Sequence, residues 1–210
     1  MLHKQMELYV AELVKTITQE PTENGTILEM FKEEKEYAET HNLLPSEFKS
    51  KLSVKDSGSR FLDAYIERGD KETESFIENE TPDFLNEPLA YFKQHKNEFL
   101  YLESKWFEVI GVDAISLEAD DVFGTYDVML GLKLQKKVDK VLKNCLNALV
   151  QGDGASYDVL FNGEDGLWNV NFALNNVDGF TEEMSIRDAY ELIYSLLFTL
   201  VEKVEEEIKG

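Results

Sequence analysis

The amino-acid sequence predicts an α+β protein that is predominantly helical, with a C-terminal β-hairpin packed against a long final helix. Apolar residues recur three and four residues apart over most of the chain, which is the period of an amphipathic helix. Residues 157–174 instead alternate apolar and polar around a turn rich in Asn and Gly, which is typical of a hairpin. The last apolar stripe, over residues 186–208, is long enough for a central helix. An all-α bundle with a hairpin insertion is the alternative.

Two helices are predicted at the N-terminus. Apolar side chains from Leu2 to Ile17 lie on one helical face, and a proline follows them, so the first helix is expected to end there. Thr26 and Glu29 have the spacing of a capping box, in which side-chain oxygens accept hydrogen bonds from exposed backbone N–H groups. We therefore expect a second helix from this box to about Asn42.

An internal hinge is predicted over residues 43–59. This segment contains a proline, a glycine and five serines, which favour turns over regular structure. A chain of 210 residues fits one large domain. We therefore expect a single domain, residues 1–210, in which the hinge separates an N-terminal helical part from a core formed by residues 82–210.

Helical spacing also dominates the middle of the chain. Residues 61–66 predict a short helix closed by Gly69, and the aromatic-rich pattern of residues 89–110 predicts a longer one. Residues 109–123 are ambiguous between a helix end and a strand that would extend the hairpin into a larger sheet. Residues 126–149 predict a long amphipathic helix.

Three features accompany this long helix. Glycines 152 and 154 are expected to stop it. Its lysines, between residues 133 and 143, are expected on a solvated face. Cys145 falls on the apolar stripe, which favours a small core residue over a nucleophile. A single cysteine also excludes an intramolecular disulfide, which suits the reducing cytoplasm.

The charge balance limits the partners that the chain can bind. The 42 acidic and 21 basic residues give a net charge of -21, which opposes binding to nucleic acid or to anionic lipid. The N-terminus lacks the apolar core of a signal peptide, and no apolar run approaches the ~20 residues that cross a bilayer. A basic protein partner, a cation, or solubility alone are the remaining roles for the acidic surplus.

The first functional hypothesis is a non-enzymatic protein-binding or regulatory module of the cytoplasm. The sequence contains no Gly-x-Ser-x-Gly turn and no local histidine pair, so it assigns no catalytic residue and implies no cofactor. The expected partner is a protein with a basic surface. Self-association is the other option, because the final helix is apolar most of the way round and a dimer could bury its second face.

The second hypothesis is a metal-dependent hydrolase. Acids three or four residues apart on a helix can bind one Mg²⁺ or Mn²⁺ ion. Glu33 and Glu36 on the second helix and Asp188 and Glu191 on the final helix have this spacing. Such a site requires the two helices to converge. The acids of the ambiguous segment are alternative contributors: Glu118, Asp120 and Asp121.

Overall fold

A computed structural model describes residues 1–19, 27–150 and 157–209. The chain separates into two compact units, unit 1 (Met1–Arg60) and unit 2 (Phe61–Gly210). The hinge over residues 43–59 and the single-domain organisation stay predictions.

Helices and strands are both numerous within the described residues. The helices are α1 (Leu2–Gln19), α2 (Lys32–Thr40), α3 (Tyr91–Gln94), α4 (Lys105–Ile110), α5 (Asp139–Leu149) and α6 (Ile186–Lys209). The strands are β1 (Leu28–Met30), β2 (Leu52–Val54), β3 (Tyr65–Asp70), β4 (Ser75–Asn79), β5 (Glu98–Glu103), β6 (Val112–Ala119), β7 (Tyr126–Leu132), β8 (Tyr157–Asn162) and β9 (Leu167–Ala173). None of these described helices is both long and apolar enough to cross a membrane.

In unit 1 a short strand precedes α2, so the predicted start of the second helix is wrong. Leu28 and Met30 are buried and Glu29 between them is exposed, and β1 pairs in parallel with β2. This alternation suits a strand, and α2 begins only after Phe31. Thr26 of the predicted capping box lies outside the described residues.

In unit 2 the strands β3 to β9 form one antiparallel sheet in the order β4-β3-β5-β6-β7-β9-β8. The predicted hairpin is the β8–β9 pair, and it is only one edge of this sheet. The prediction of a predominantly helical fold with a single C-terminal hairpin is therefore wrong, as is the all-α alternative. The fold is a mixed α+β arrangement of helices and a seven-stranded sheet.

Three stretches with helical spacing contain strands. β3 stands where the sequence predicts a short helix ending at Gly69, and β5 interrupts the pattern of residues 89–110 between α3 and α4. β6 takes up most of the ambiguous segment 109–123. Residues 126–132 form β7 instead of the first turns of a long helix, and α5 is the remaining helical part. The predicted stop at glycines 152 and 154 lies outside the described residues.

One face of the sheet, here called the inner face, is apolar and buried beneath helices. Tyr126, Val128, Leu130 and Leu132 alternate along β7 as buried residues, and the neighbouring strands repeat this pattern. Tyr190 of α6 is completely buried. Its hydroxyl donates to the Leu100 carbonyl oxygen at 2.9 Å, and the Ile115 carbonyl oxygen lies 3.4 Å away. The final helix therefore packs on the centre of the sheet.

The residues that make α6 apolar most of the way round are buried within the chain. Its buried residues include Ile186, Ile193, Leu197 and Val204, together with side chains on its other faces such as Phe198. These residues are inaccessible in a single chain, so they give no support to a dimer through this helix. Self-association stays a prediction.

The predictions for the long helix hold where α5 forms. Cys145 is buried among the core residues, and burial raises the pKa of its thiol. Lys140, on the opposite side of α5, is exposed, and so are Lys133, Lys136 and Lys137 before it, whereas Lys143 is half-buried.

The Tyr190 hydroxyl is expected to stabilise the packing of α6 on the sheet. Tyr190→Phe removes a buried hydrogen bond, so the free energy of unfolding should fall by about 1 kcal/mol. Urea unfolding measures this change. Tyr65→Phe is the matched control, because Tyr65 is 44% exposed and its loss should change stability by less than about 0.5 kcal/mol. Equal effects of the two variants would contradict a role of this bond in the packing.

Candidate functional site

The four acids of the predicted metal site lie in two different compact units. Glu33 and Glu36 lie on α2 in unit 1, and Asp188 and Glu191 lie on α6 in unit 2. Each pair shares one helix, as predicted from its spacing. Their convergence on one ion stays a prediction.

Two of these acids have structural contacts of their own. The Glu33 carboxylate accepts a hydrogen bond from the Arg60 guanidinium at 2.6 Å. Asp188 accepts hydrogen bonds from the Ser185 hydroxyl at 2.7 Å and from its backbone N–H at 3.1 Å, which caps the start of α6. Ion pairing and helix capping therefore account for Glu33 and Asp188 without a metal ion.

Arg60 is the centre of a buried ion-pair cluster in unit 1. Its guanidinium donates to Glu34 at 2.7 Å as well as to Glu33, and it lies 4.1 Å from the ring centroid of Phe31. Arg60 and Glu34 are both inaccessible to solvent. A buried carboxylate without its cation is strongly unfavourable, so this cluster fixes the position of α2 within its unit.

Removal of the Arg60 guanidinium is expected to unfold unit 1 readily. Arg60→Ala should lower its free energy of unfolding by about 3 to 5 kcal/mol, because Glu34 would stay buried without its cationic partner. Hydrogen exchange of the α2 amides reports this free energy. The control is Lys49→Ala, which removes an exposed contact with Asn42 and should cost less than about 0.5 kcal/mol. A loss for Arg60→Ala as small as that of the control would show that the cluster does not stabilise unit 1.

The most distinctive surface of unit 2 is the outer face of the sheet, opposite the inner face. Strand side chains alternate, so the residues between the buried ones share this face. We define the outer face by these thirteen residues: Tyr65, Glu67, Phe99, Tyr101, Glu103, Ser116, Glu118, Asp127, Met129, Asp158, Leu160, Asn169 and Asn171. All thirteen are exposed or half-buried.

Strand register lines up six of these residues in one row across the sheet. Each member lies directly opposite the next on the neighbouring strand. The row runs Glu67, Tyr101, Ser116, Met129, Asn171, Asp158. At about 4.8 Å between strands it is about 24 Å long. It begins and ends on a carboxylate, with aromatic, hydroxyl, thioether and amide groups between.

The outer face is strongly negative. Five of the thirteen defining residues are Asp or Glu, and none is Lys or Arg. Glu118 and Asp127 lie directly opposite each other, where like charges repel. The nearby Lys71 ammonium lies 3.5 Å from Glu118 and also donates to the Ala119 carbonyl oxygen at 2.6 Å. The face therefore has a negative potential that one neighbouring lysine reduces only locally.

A shallow, open hollow of about 480 Å³ lies over β3 and β5 on the outer face. Tyr65 faces Glu103 across the two strands, and Glu67 faces Tyr101. Along each strand, the Tyr65 hydroxyl donates to Glu67 and the Tyr101 hydroxyl donates to Glu103 at 2.6 Å. We call these four residues the Tyr–Glu square, because tyrosine and glutamate alternate at its corners.

The two phenol hydroxyls of the square act as hydrogen-bond donors. Burial and the Glu103 carboxylate raise the pKa of Tyr101, and the hydrogen bond to Glu67 raises the pKa of Tyr65. The two rings stand at 74° to each other with their centroids 6.5 Å apart. Both tyrosines therefore stay neutral and keep their donors on the carboxylates.

A second hollow, of about 420 Å³, lies at the other end of the outer face. Asp120, Asp127 and Asp158 line it together with two asparagines, a threonine and aromatic residues. Asp120 accepts hydrogen bonds from the backbone N–H groups of the turn that follows it, including Val122 at 2.8 Å. Burial and the Asp120 charge raise the pKa of Asp127, while a hydrogen bond from Thr125 opposes this shift.

The acids named for the ambiguous segment therefore lie near the outer face. Glu118 belongs to the face itself, Asp120 lines the second hollow, and Asp121 lies 4.0 Å from the Lys71 ammonium. Sequence reasoning missed the Tyr–Glu square because residues 61–66 and 89–110 have helical spacing. The repeated Tyr-x-Glu pattern at residues 65–67 and 101–103 is the signal that indicates two paired strands.

Comparison of the chain with known protein families, with curated proteins and with solved structures finds no match. We therefore infer a function from the surfaces of the chain itself.

Partial burial of the Asp127 carboxylate on the outer face, together with repulsion from Asp120, is expected to reduce stability at neutral pH. The pKa of Asp127 is higher in the folded state than in the unfolded state. The protonated carboxyl group therefore costs no stability below about pH 4, and the folded state loses stability as the pH rises through the folded pKa and the group becomes charged. Asp127→Asn should therefore raise the free energy of unfolding at pH 7. The gain is about 0.5 kcal/mol, since solvent screens this half-exposed group.

Urea unfolding at pH 7 and pH 3.5 tests this expectation. The gain from Asp127→Asn should shrink at pH 3.5, where the wild-type carboxyl group becomes protonated. Asp178→Asn, at an exposed position, is the charge-matched control. A gain for Asp127→Asn that does not depend on pH would contradict the electrostatic explanation.

Proposed function

We propose that this chain is a non-enzymatic protein-binding module of the cytoplasm and that it binds a partner with a basic surface through the outer face of the sheet. The observation that carries the proposal is the composition of this face. Five carboxylates and no basic residue lie among its defining side chains, interspersed with Tyr65, Phe99, Tyr101 and Met129.

Charge supports a basic partner in two ways. The net charge of -21 attracts a cationic surface over long range, which raises the association rate. The carboxylates of the outer face then offer local contacts. Glu118 and Asp127, which repel each other in the free chain, would both be stabilised by a neighbouring cation.

Size and apolar content support a protein as the partner. The row across the face is about 24 Å long, which is close to the ~28 Å side of a patch burying about 800 Å² on each partner. Tyrosine, phenylalanine and methionine are enriched in protein interfaces, because they bury a large area and need few polar contacts. Such side chains between carboxylates favour a protein over a simple cation.

The same charges disfavour a second copy of the chain as the partner. Two copies meeting through the outer face would bring five carboxylates against five, which is repulsive. The apolar stripe of α6 is buried within one chain. A different protein with basic side chains is therefore the better-supported partner.

The hydrolase hypothesis gains no comparable support. Glu33 pairs with Arg60, and Asp188 caps a helix, so two of its four acids have other partners. Mg²⁺ or Mn²⁺ binding by these residues stays a prediction.

A photocrosslinking amino acid in place of Ser116, at the middle of the row, would identify proteins that contact the outer face. The partner is then purified, and its binding is measured with Glu67→Lys and Asp158→Lys, one at each end of the row. Each should weaken binding at least tenfold at 50 mM salt and less at 500 mM salt, because screening reduces the attraction.

Glu164→Lys is the matched control, since it makes the same charge change at the exposed β8–β9 turn. It should reduce binding far less than either outer-face variant. Equal losses for all three variants would show that only the net charge matters. A partner without a basic surface, or unchanged binding by both outer-face variants, would refute the proposed function.

A further inference from the structure

We propose that the Tyr–Glu square of β3 and β5 takes up a single arginine side chain of the partner. This inference rests on the proposed function and names the chemical group that the outer face recognises. The observation behind it is an alternating arrangement of two phenol rings and two carboxylates around one hollow of about 480 Å³.

The square is preorganised for a cation. The register between β3 and β5 fixes its four corners, since Tyr65 lies opposite Glu103 and Glu67 lies opposite Tyr101. Each phenol donates to the carboxylate on its own strand, and this bond holds both side chains in place. A ligand therefore meets side chains that are already ordered, which lowers the entropy cost of binding.

One cation can lie within range of both rings. A cation is attracted to an aromatic face when it lies within about 6 Å of the ring centroid. The centroids of Tyr65 and Tyr101 are 6.5 Å apart, so a group above the hollow can satisfy this condition for both rings. Tyr65 is 44% exposed, and its ring is accessible from solvent.

The carboxylates favour a guanidinium over an ammonium group. A carboxylate offers about four acceptor positions, and the phenol on the same strand uses one in each case. Glu67 and Glu103 lie at opposite corners of the square, so a ligand must donate in two directions while it covers a ring. The planar guanidinium has five donors and stacks on aromatic rings, whereas the ammonium group of lysine is a compact and strongly hydrated charge.

The arginine of β3 does not occupy the Tyr–Glu square, so an incoming arginine does not have to displace it. The basic residue of β3, Arg68, belongs to the inner face, where it donates to Glu80 at 2.6 Å and to Glu98 at 3.0 Å. It also donates to the Tyr91 hydroxyl at 3.0 Å. These contacts occupy Arg68 on the other side of the strand from Glu67.

The second hollow is a weaker candidate for binding one specific side chain. Its three aspartates would attract a cation, but an acidic cluster alone does not define a ligand. The Tyr–Glu square adds aromatic faces with a defined geometry, and it is therefore the better candidate for one specific side chain.

The test is titration of the whole chain with the peptide acetyl-Gly-Arg-Gly-amide, followed by NMR of ring-labelled tyrosines. Saturable shifts are expected for the Tyr65 and Tyr101 rings. The lysine peptide of the same length should bind at least threefold more weakly. The citrulline peptide, which has nearly the same shape without charge, should produce no saturable shift of these rings.

Variants separate the contributions of the rings and the carboxylates. Tyr101→Ala should abolish the ring shifts of Tyr65, whereas Tyr101→Phe should retain binding, because the aromatic face remains. Glu103→Gln should weaken binding at least threefold. Phe123→Ala, at an aromatic residue that is 83% exposed outside the square, is the control and should leave binding unchanged. Tyr65→Ala provides a second ring deletion in case Tyr101→Ala does not fold.

Outcomes of this titration are distinct from those of the partner experiment. No saturable shift, equal binding of the lysine or citrulline peptide, or full binding by both ring deletions would overturn the arginine inference. If Glu67→Lys and Asp158→Lys still weakened the identified partner, the proposed function would stand without it. If these two variants had no effect, the proposed function itself would fail, whatever the peptide did.

Discussion

The packing of α6 on the inner face of the seven-stranded sheet is the contact on which the rest of unit 2 depends. An antiparallel sheet with one apolar face must bury that face, and α6 supplies buried side chains from Ile186 to Glu205. Tyr190 joins the helix to the central strands through a hydroxyl that reaches the Leu100 carbonyl oxygen. Because this packing covers the inner face, the outer face does not need to be apolar. It can carry charged side chains, which would be unfavourable in a buried core.

The sequence predicted correctly the helices and strands in which the apolar residues follow a single regular period. The helical stripe of α1, the alternation of β8 and β9, and the apolar circumference of α6 all indicated their elements correctly. β7 was missed because its alternation, from Tyr126 to Leu132, is separated from α5 by only six residues, and residues such as Met129 and Leu132 also fit helical spacing. β5 was missed because Phe99 to Leu102 are aromatic or aliphatic on both faces, so no alternation is visible.

The candidate site was less predictable than the fold, for a physical reason. Its row joins residues from position 67 to position 171, and only the register of six strands brings them together. No local pattern contains that register, because each pairing depends on the burial of the inner face. Glu33 also has a partner that no local pattern indicates. Its spacing from Glu36 suggested a metal ligand, whereas the partner that accounts for it, Arg60, lies 27 residues away.

The order of strands in the sheet also bears on how the chain folds. Most neighbours in the sheet are close in sequence, so the strands can pair through short loops with a small entropic cost. The helix that covers their inner face, α6, follows all seven strands in the sequence. During synthesis the paired strands would therefore expose an apolar face on the ribosome until residues 186–209 emerge. That interval is the time at which a nascent chain of this fold is most exposed to aggregation and most dependent on chaperones.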